Sequence, residues 1–285
     1  MRKKSKIFIR LIGGLGNQLF IYAFGFAKSK DSGSELIIDN ISGFSKRDIY
    51  RAVFCLDVFR LGHTYLSNSF LRFLIGNRYF WFLARILNFG YYEKTANSFD
   101  KNAKNSNLSF YQGYWQSYKY FDKYRDKIKR NLILDEAPGE HAKIYSKRIK
   151  ESKNPVALCL RFYDTFKEDS EIYNVQDYSY YKKAIELMES KHHDLTFFIF
   201  SMNIKKAKKE LSSYLDRDII FVEPLLNFKD AYIDLHLMSL CNHFIISNGT
   251  MYWWAAYLGE KLETLVICPK NGFQKDMVLP NWIKV

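Results

Sequence analysis

Apolar runs and helical patterns alternate along most of the chain. The first apolar run, residues 7–12, reads as a strand, and the glycine loop of residues 13–18 (GGLGNQ) follows it. An apolar helical pattern over residues 19–27 comes next, and residues 36–39 fit a second strand. A strand, a glycine turn and a helix in this order are typical of the start of a doubly wound α/β domain.

A second series of the same kind follows a polar, lysine-rich connection at residues 135–154. Its strand-like runs cover residues 156–160, 195–200, 219–222, 244–247 and 264–267. Continuous apolar strands that alternate with helices predict a parallel sheet covered on both faces. We therefore predict two α/β domains, residues 1–150 and 151–285. The first contains a mostly helical, aromatic insertion from about residue 40 to residue 110. Ligands should bind in a cleft at the carboxyl ends of the strands.

Composition narrows the class of protein. The 285 residues are 48% hydrophobic and 18% aromatic, which excludes a disordered or low-complexity chain. No apolar run reaches the roughly 18 residues of a membrane span. The basic N-terminus lacks a small-residue cleavage site, so we predict a cytoplasmic protein without a signal peptide. The four cysteines form no C-x-x-C pair and predict buried, reduced thiols.

Positive charge is the next informative feature. Forty-three Lys and Arg residues against 30 Asp and Glu residues give a net charge of +13. This balance favours an anionic partner, although a merely basic surface is the alternative. Residues 58–92 contain arginines and many aromatic residues but no acid, which is typical of an amphipathic helix on an anionic membrane. A core helix with arginines at its rim is the alternative. Nucleic acid is disfavoured, because no binding-fold signature surrounds these residues.

The glycine loop is the first candidate binding element. A turn between a strand and a helix directs backbone N–H groups and the positive helix end at an anion. Gly14 and Gly16 fit the dinucleotide pattern G-x-G-x-x-G, but Leu19 stands at its third glycine. Asn17 and Gln18 would add side-chain amides at the mouth of the cleft. The alternative is a tight turn that requires a positive φ.

Two further candidates follow strands of the second series. Arg161 emerges after the strand of residues 156–160, where a guanidinium can bind phosphate through two hydrogen bonds. An ordinary surface ion pair between Arg161 and Asp164 is the alternative. Asn248, Gly249 and Thr250 lie between a strand and a helix, which predicts a second anion site.

Together the three elements favour a nucleotide diphosphate as ligand. The sequence contains neither a P-loop nor a D-x-D pair at a strand end. A nucleotide sugar used without an obligatory metal or other cofactor therefore fits better than ATP.

Four sequence blocks resemble the bacterial α-1,2-fucosyltransferase family. The glycine loop and the residues after it match G-G-L-G-N-Q-[LM]-F-Q-Y-A, and residues 113–121 match G-Y-[FW]-Q-S-x-K-Y-F. Residues 234–254 are similar to D-L-x-L-M-S-x-C…N-S-[ST]-F-S-W-W, and residues 279–285 resemble the family's carboxyl end. The resemblance runs in order from residue 10 to the end of the chain.

Two of the family's motifs are altered. The family's H-x-R-R-x-D keeps Arg161 and Asp164, but Cys159 and Phe162 replace its histidine and second arginine. The family's F-S-D-D keeps Ser201, but Met202 and Asn203 replace both carboxylates. The scaffold is therefore better supported than the identity of the donor sugar. Loss of an arginine at the phosphate site implies weaker donor binding, a compensating cation or a changed donor.

The resemblance implies a GT-B fold, in which two Rossmann-like domains face each other across a cleft. The second domain would bind GDP-fucose, and the first would bind a galactose-containing glycan. This acceptor would be O-antigen-like or an oligosaccharide, and a lipid-linked glycan is one form of it. The galactose 2-hydroxyl would attack with inversion, and Asp164 is the candidate base, unless it only orients Arg161. The implied donor-binding residues are Gly14, Gly16, Asn17, Gln18, Arg161, Ser201, Asn248, Gly249 and Thr250.

Two alternatives to a fucosyltransferase stay open. One is an inverting transferase on the same scaffold that uses another nucleotide sugar, which the altered residues Phe162, Met202 and Asn203 suggest. The other is a non-catalytic protein that binds a membrane surface or nucleic acid. A cytoplasmic protein in peripheral contact with the inner membrane is compatible with each of the three.

Overall fold

The computed structural model describes residues 5–44, 53–61, 64–66, 73, 77–95, 98–132, 134, 137–162, 178–212, 216–225 and 227–285. The chain forms two compact units. The N-terminal unit comprises Met1–Leu132 and Gln274–Val278, and the C-terminal unit comprises Ile133–Phe273 and Leu279–Val285. The division lies before residue 150, the boundary suggested by the sequence, because the helix of residues 139–151 packs within the C-terminal unit.

The N-terminal unit is built on a parallel sheet of five short strands. They are β1 (Lys6–Arg10), β2 (Glu35–Asp39), β3 (Thr64–Tyr65), β4 (Gly90–Tyr92) and β5 (Phe110–Gln112), in the order β3-β2-β1-β5-β4. Its helices are α1 (Leu15–Ser32), α2 (Arg78–Ile86), α3 (Lys101–Asn105) and α4 (Arg125–Leu132). The sequence predicts β1, α1 and β2, whereas β3 and β4 lie in the region predicted to be mostly helical. Strands of two or three residues are too short to show a periodic pattern.

The C-terminal unit is built on a parallel sheet of six strands. They are β6 (Asn154–Cys159), β7 (Leu195–Phe200), β8 (Ile219–Phe221), β9 (His243–Ile245), β10 (Val266–Cys268) and β11 (Ile283–Lys284). Their order is β11-β10-β9-β6-β7-β8. Its helices are α5 (Gly139–Glu151), α6 (Tyr178–Lys191), α7 (Ile204–Glu210), α8 (Ala231–Ser239) and α9 (Thr250–Gly259). The predicted alternation of strands and helices is confirmed from β6 to β10, whereas β8 is only half-buried and β11 was not predicted.

Helix α5 corrects the prediction of a surface connection at residues 135–154. Ala142, Ser146 and Ile149 are buried along one side of α5, while most of its other side chains are exposed lysine, arginine and glutamate. Such a narrow apolar stripe is hard to distinguish from a polar linker in the sequence.

Two further predictions concern the cysteines and membrane-spanning helices. All four cysteines are free and buried, as predicted. Within the part of the chain that the structure describes, no helix has the length and apolarity required to span a membrane.

Candidate active site

The carboxyl ends of β6 and β9 bring two predicted elements together. The two strands are parallel neighbours, so Arg161 after β6 and residues 248–250 after β9 leave the sheet at the same edge. Arg161 Nη1 lies 3.0 Å from the position that a Cβ atom on Gly249 would occupy. A side chain at position 249 would therefore press against the guanidinium. The absence of one allows Arg161 to approach the turn closely.

The turn beside Arg161 opens helix α9. Gly249 is the N-cap and makes no side-chain capping bond, so no side chain of its own occupies the space in front of the first N–H groups. Thr250 begins the helix. Unpaired N–H groups and the helix dipole make such a terminus favourable for an anion. A guanidinium next to it adds a full positive charge, so this edge of the sheet can hold a diphosphate.

Ser201 lies on the other side of Arg161 in the sheet. It follows β7, which pairs with β6 in parallel along its whole length. Ser201 is buried, and its hydroxyl accepts a hydrogen bond from the Asn203 N–H at 3.2 Å. Asn203 in turn caps α7, because its Oδ1 accepts from the Lys206 N–H at 3.0 Å. Asn203, one of the two residues that replace the family's carboxylates, therefore stabilises a helix start.

A lysine side chain lies where the family motif loses its second arginine. Lys206 Nζ is 4.7 Å from the centroid of the Phe162 ring, a distance typical of a cation–π contact. Phe162 directly follows Arg161, so Lys206 brings an ammonium group beside the altered motif. Cys159, in place of the family's histidine, is fully buried next to Met238, with 3.5 Å between the two sulfur atoms.

Asp234 is a functional candidate outside the set of site residues that the sequence predicts. It lies on α8, and its Oδ1 is buried without a hydrogen-bond donor among the residues that the structure describes. Burial raises the pKa of Asp234 to about 7. Burial also raises the pKa of Tyr252, which the Arg161 charge lowers and the Asp234 charge raises. Tyr252 thus has both charged groups as electrostatic neighbours. An acid within the apolar stretch of residues 233–241 is the signal that the sequence offered.

Gln18 of the glycine loop is part of the fold. Its side chain is fully buried, and Nε2 donates to the Gly13 and Val53 carbonyls, both at 2.8 Å. Its Oε1 accepts from the Cys55 N–H at 3.0 Å. Both ends of the amide are used inside the N-terminal unit. The expectation that Gln18 offers an amide to the donor is therefore corrected, because the side chain connects the loop to residues 53–55.

The rest of the loop is also held by its own unit. Gly13 has a φ of +77°, so the alternative of a tight turn that needs glycine is realised. Asn17 is half-buried, and its Oδ1 accepts from Gln116 Nε2 at 2.8 Å. Gly16 is buried in the first turn of α1. Gly14, the N-cap of α1, has no atom within 4 Å of a Cβ built on it, so its surroundings leave room for a ligand.

Two further observations complete the description of the site residues. Asp164, the candidate base, lies outside the described residues. Nowhere in the described ranges do three His, Cys, Asp or Glu side chains form a group that could hold a metal ion.

Two solved structures share the fold of this chain. The NodZ alpha-1,6-fucosyltransferase soaked with GDP-fucose has a TM-score of 0.53 at 13% identity, covering 90% of this chain and 93% of NodZ. An Arabidopsis thaliana FUT1 mutant in complex with GDP has a TM-score of 0.58 at 14% identity, covering 98% of this chain and 76% of FUT1. Two Rossmann-like units with parallel sheets therefore form a GT-B fold.

Sequence comparison identifies the family. The chain belongs to glycosyl transferase family 11, whose sequence model matches residues 68–285. The alpha-1,2-colitosyltransferase of Escherichia coli is 29% identical over 95% of this chain and 94% of its own length. The Escherichia coli O-antigen biosynthesis glycosyltransferase WbnK is 26% identical over 96% of this chain and 99% of its own length. The Bos taurus galactoside 2-alpha-L-fucosyltransferase SEC1 is 32% identical over 38% of this chain and 31% of its length.

Proposed function

We propose that this glycosyltransferase transfers L-fucose from GDP-fucose to the 2-hydroxyl of a galactose, with inversion, in a surface glycan such as O-antigen. The observation that carries the proposal is the approach of the Arg161 guanidinium to Gly249 at the start of α9. That arrangement suits the diphosphate of a nucleotide sugar. The names of the relatives support a 6-deoxy sugar, an α-1,2 linkage and an O-antigen product.

Neutralisation of the leaving group is the main contribution that we assign to the C-terminal unit. The bond between the fucose C1 and the diphosphate oxygen breaks, and negative charge develops on GDP. Arg161, the N–H groups after Gly249 and the ammonium of Lys206 supply positive potential there without a metal or other cofactor. Fixed positive groups that face developing charge commonly contribute most of the rate enhancement.

The acceptor completes the reaction. The galactose 2-hydroxyl forms the new bond to C1 from the opposite face and loses its proton to a base. We keep Asp164 as the proposed base, by its position after Arg161. For Asp234 we propose a different role. A buried carboxylate oxygen without a partner in the described structure is suited to accept a hydrogen bond from an N–H or O–H of the bound donor.

The two parts of the chain divide the substrates in this proposal. Residues 151–285 bind the donor, and Ser201, Asn248, Gly249 and Thr250 contribute to its site. Residues 1–150 bind the acceptor glycan, and Gly14, Gly16 and Asn17 at the start of α1 stay in the proposed set of donor-binding residues. The reaction takes place in the cytoplasm, where nucleotide sugars are made.

Colitose is the second candidate donor sugar. It is fucose without the 3-hydroxyl, and one relative over the whole chain is a colitosyltransferase. The altered residues Phe162, Met202 and Asn203 are compatible with a donor other than GDP-fucose. Because the two sugars differ by one hydroxyl, the diphosphate site described above serves both.

A donor-by-acceptor screen read by mass spectrometry tests the proposal. GDP-fucose, GDP-colitose, GDP-mannose and UDP-galactose are each offered with galactosides, and binding is measured in parallel by calorimetry. We expect GDP-fucose to bind and a deoxyhexose to be added at the galactose 2-hydroxyl. Transfer from GDP-colitose alone would replace the first candidate by the second. Transfer from GDP-mannose or UDP-galactose alone would refute both and favour a transferase for another nucleotide sugar, and no binding or transfer with any of the four would favour a non-catalytic role.

A further inference from the structure

Helix α2 is firmly attached to the N-terminal unit through one face. Trp81 and Ala84 are almost completely buried, and Trp81 packs with Phe8 and Ile37 of the sheet. Trp81 Nε1 donates to a buried carboxylate, Asp39 Oδ2, at 2.8 Å. Its carbonyl accepts from the Tyr92 hydroxyl, also at 2.8 Å. These contacts fix which way the helix faces.

The opposite face of α2 is apolar as well. Tyr79, Phe82, Leu83 and Ile86 follow the i, i+3, i+4, i+7 spacing of one helix stripe, and each is between 53% and 63% exposed. Leu87 and Phe89 extend the stripe beyond the helix end with similar exposure. A surface helix normally turns polar side chains outward. A continuous exposed apolar stripe of this kind marks an interaction surface.

Positive charge borders the stripe. Arg78 and Arg85 lie seven residues apart, so they stand on one side of the helix with Phe82 between them, and both are exposed. The Arg78 guanidinium lies 5.4 Å from the ring centroid of Tyr79, and that of Arg85 lies 5.9 Å from Tyr92. The sequence from residue 58 to residue 92 contains no acid that would neutralise them.

The charge pattern selects the occupant of this surface. A second copy of the chain packed stripe to stripe about a two-fold axis would bring like-charged arginines together, and residues 58–92 supply no acid to compensate them. In an anionic bilayer, the aromatic and aliphatic side chains of the stripe can contact the acyl boundary. The guanidinium groups can bind the lipid phosphates. We propose that the outward face of α2 docks the protein on anionic membranes.

The proposal does not depend on which sugar the enzyme transfers. It assigns α2 to the contact with lipid and leaves the site around Arg161 to the donor. A protein that binds vesicles and lacks every tested transfer activity would still fulfil it. A protein that transfers fucose and ignores vesicles would not.

Vesicle flotation of the full-length protein tests the proposal. One set of vesicles is phosphatidylcholine with about a third phosphatidylglycerol, and the other is phosphatidylcholine alone. We expect the protein to float with the anionic vesicles and to stay at the bottom with the neutral ones. The floating fraction should fall as salt is raised, because surface attraction is screened. A protein that stays at the bottom with anionic vesicles at low salt overturns the proposal.

Two variants and their controls locate the surface. Phe82→Ser/Leu83→Ser/Ile86→Ser should lower vesicle binding at least tenfold, and Arg78→Gln/Arg85→Gln should lower it about fivefold per arginine, or about 1 kcal/mol each. The matched controls Ile144→Ser/Leu262→Ser and Lys143→Gln/Lys147→Gln change exposed residues of the C-terminal unit and should bind as the parent does. Circular dichroism checks that each variant is folded.

Two results would contradict the assignment. If the triple variant is folded and floats as well as the parent, lipid contact does not involve α2. If sedimentation shows a dimer that the triple variant loses while vesicle binding is unchanged, the stripe is an interface between two copies. Either result overturns the proposal.

Discussion

Two of the turns that lead from a strand into a helix have the same local geometry but different roles. Residues 13–18 open α1 and residues 248–250 open α9, and neither helix has a side-chain N-cap. In the first turn, Gln18 and Asn17 bond to groups of their own unit. The second turn lies against the Arg161 guanidinium.

The two turns show that the backbone shape of a motif does not by itself determine its function. Glycine and a helix start predict a turn with N–H groups at its mouth, and both turns provide that. The surrounding side chains decide whether the turn serves the fold or a ligand. A buried amide with all its partners inside the protein indicates the fold. A guanidinium beside an uncapped helix start indicates an anion.

Removal of Arg161 is expected to have the largest effect. Arg161→Ala takes away the full positive charge next to α9, so kcat/KM should fall roughly 10²–10³-fold, as for the loss of one preorganised group in a transition state. The melting temperature should stay near that of the parent, because the guanidinium lies at a strand end and not in the core. Steady-state kinetics and thermal unfolding measure the two quantities.

Arg148→Ala is the matched control for that change. Arg148 is an exposed arginine on α5 of the same unit. Its removal lowers the net charge equally, and kcat/KM should be unchanged. Similar losses for both variants would mean that general charge, and not the site beside Gly249, supports the reaction.

In contrast to Arg161→Ala, Gln18→Ala should lower the stability of the protein and leave kcat/KM nearly unchanged. Three hydrogen bonds are lost: those to the Gly13 carbonyl and from the Cys55 N–H are buried, and the one to the Val53 carbonyl is part-buried. At about 1–3 kcal/mol for each unsatisfied group, the two buried groups alone should lower the free energy of unfolding by roughly 2–6 kcal/mol. Denaturant unfolding measures the loss. At a temperature where the variant is fully folded, its kcat/KM should stay within a few-fold of the parent. A stable, inactive variant would return Gln18 to the binding site.

The sequence predicts much of this architecture because long periodic elements carry their own signal. The strands of residues 154–159 and 195–200 are continuous apolar runs, and both were predicted within two residues of their ends. The strands β3 and β4 are too short to show a period, and the apolar stripe of α5 is too narrow to distinguish it from a polar linker.

The site is predictable to a smaller degree. Residue order along parallel strands correctly places Arg161, Ser201 and residues 248–250 at one sheet edge. Burial is not visible in a sequence, so the internal role of Gln18 and the raised pKa of Asp234 require coordinates. Lys206 is one of four lysines at residues 205, 206, 208 and 209, a pattern typical of a solvated helix face, and its contact with Phe162 is visible only in the coordinates.

Asp234→Asn is expected to change how the free energy of unfolding depends on pH. The unfolded chain releases the Asp234 proton near pH 4, whereas burial raises the pKa in the folded protein to about 7. Between these pH values the folded state binds more protons, so the stability of the parent falls as pH rises. Asn cannot ionise, and the variant should therefore gain roughly 2–4 kcal/mol relative to the parent between pH 4 and pH 8. Unfolding in urea at both pH values measures this gain.

Donor binding distinguishes a functional Asp234 from a strained core residue. The same variant should bind the GDP donor about tenfold more weakly by calorimetry, because an amide accepts a hydrogen bond less strongly than a carboxylate. Asp216→Asn, at an exposed position in the same unit, should change neither quantity. A gain in stability with unchanged donor affinity would remove Asp234 from the proposed site.

Lys206→Gln is expected to have the smallest effect and asks whether a lysine compensates for the missing arginine. Its ammonium lies on the Phe162 ring, one residue from Arg161, and adds a second positive charge at the edge that we assign to the diphosphate. Loss of one partly solvated charge should weaken donor binding about fivefold, or about 1 kcal/mol. The control Lys209→Gln removes an exposed lysine from the same helix and should bind the donor as the parent does. If the double variant Phe162→Arg/Lys206→Gln recovers the affinity, the two cations are interchangeable. Equal affinities for Lys206→Gln, Lys209→Gln and the parent would leave Arg161 as the single side-chain cation that the described residues give to the proposed diphosphate site.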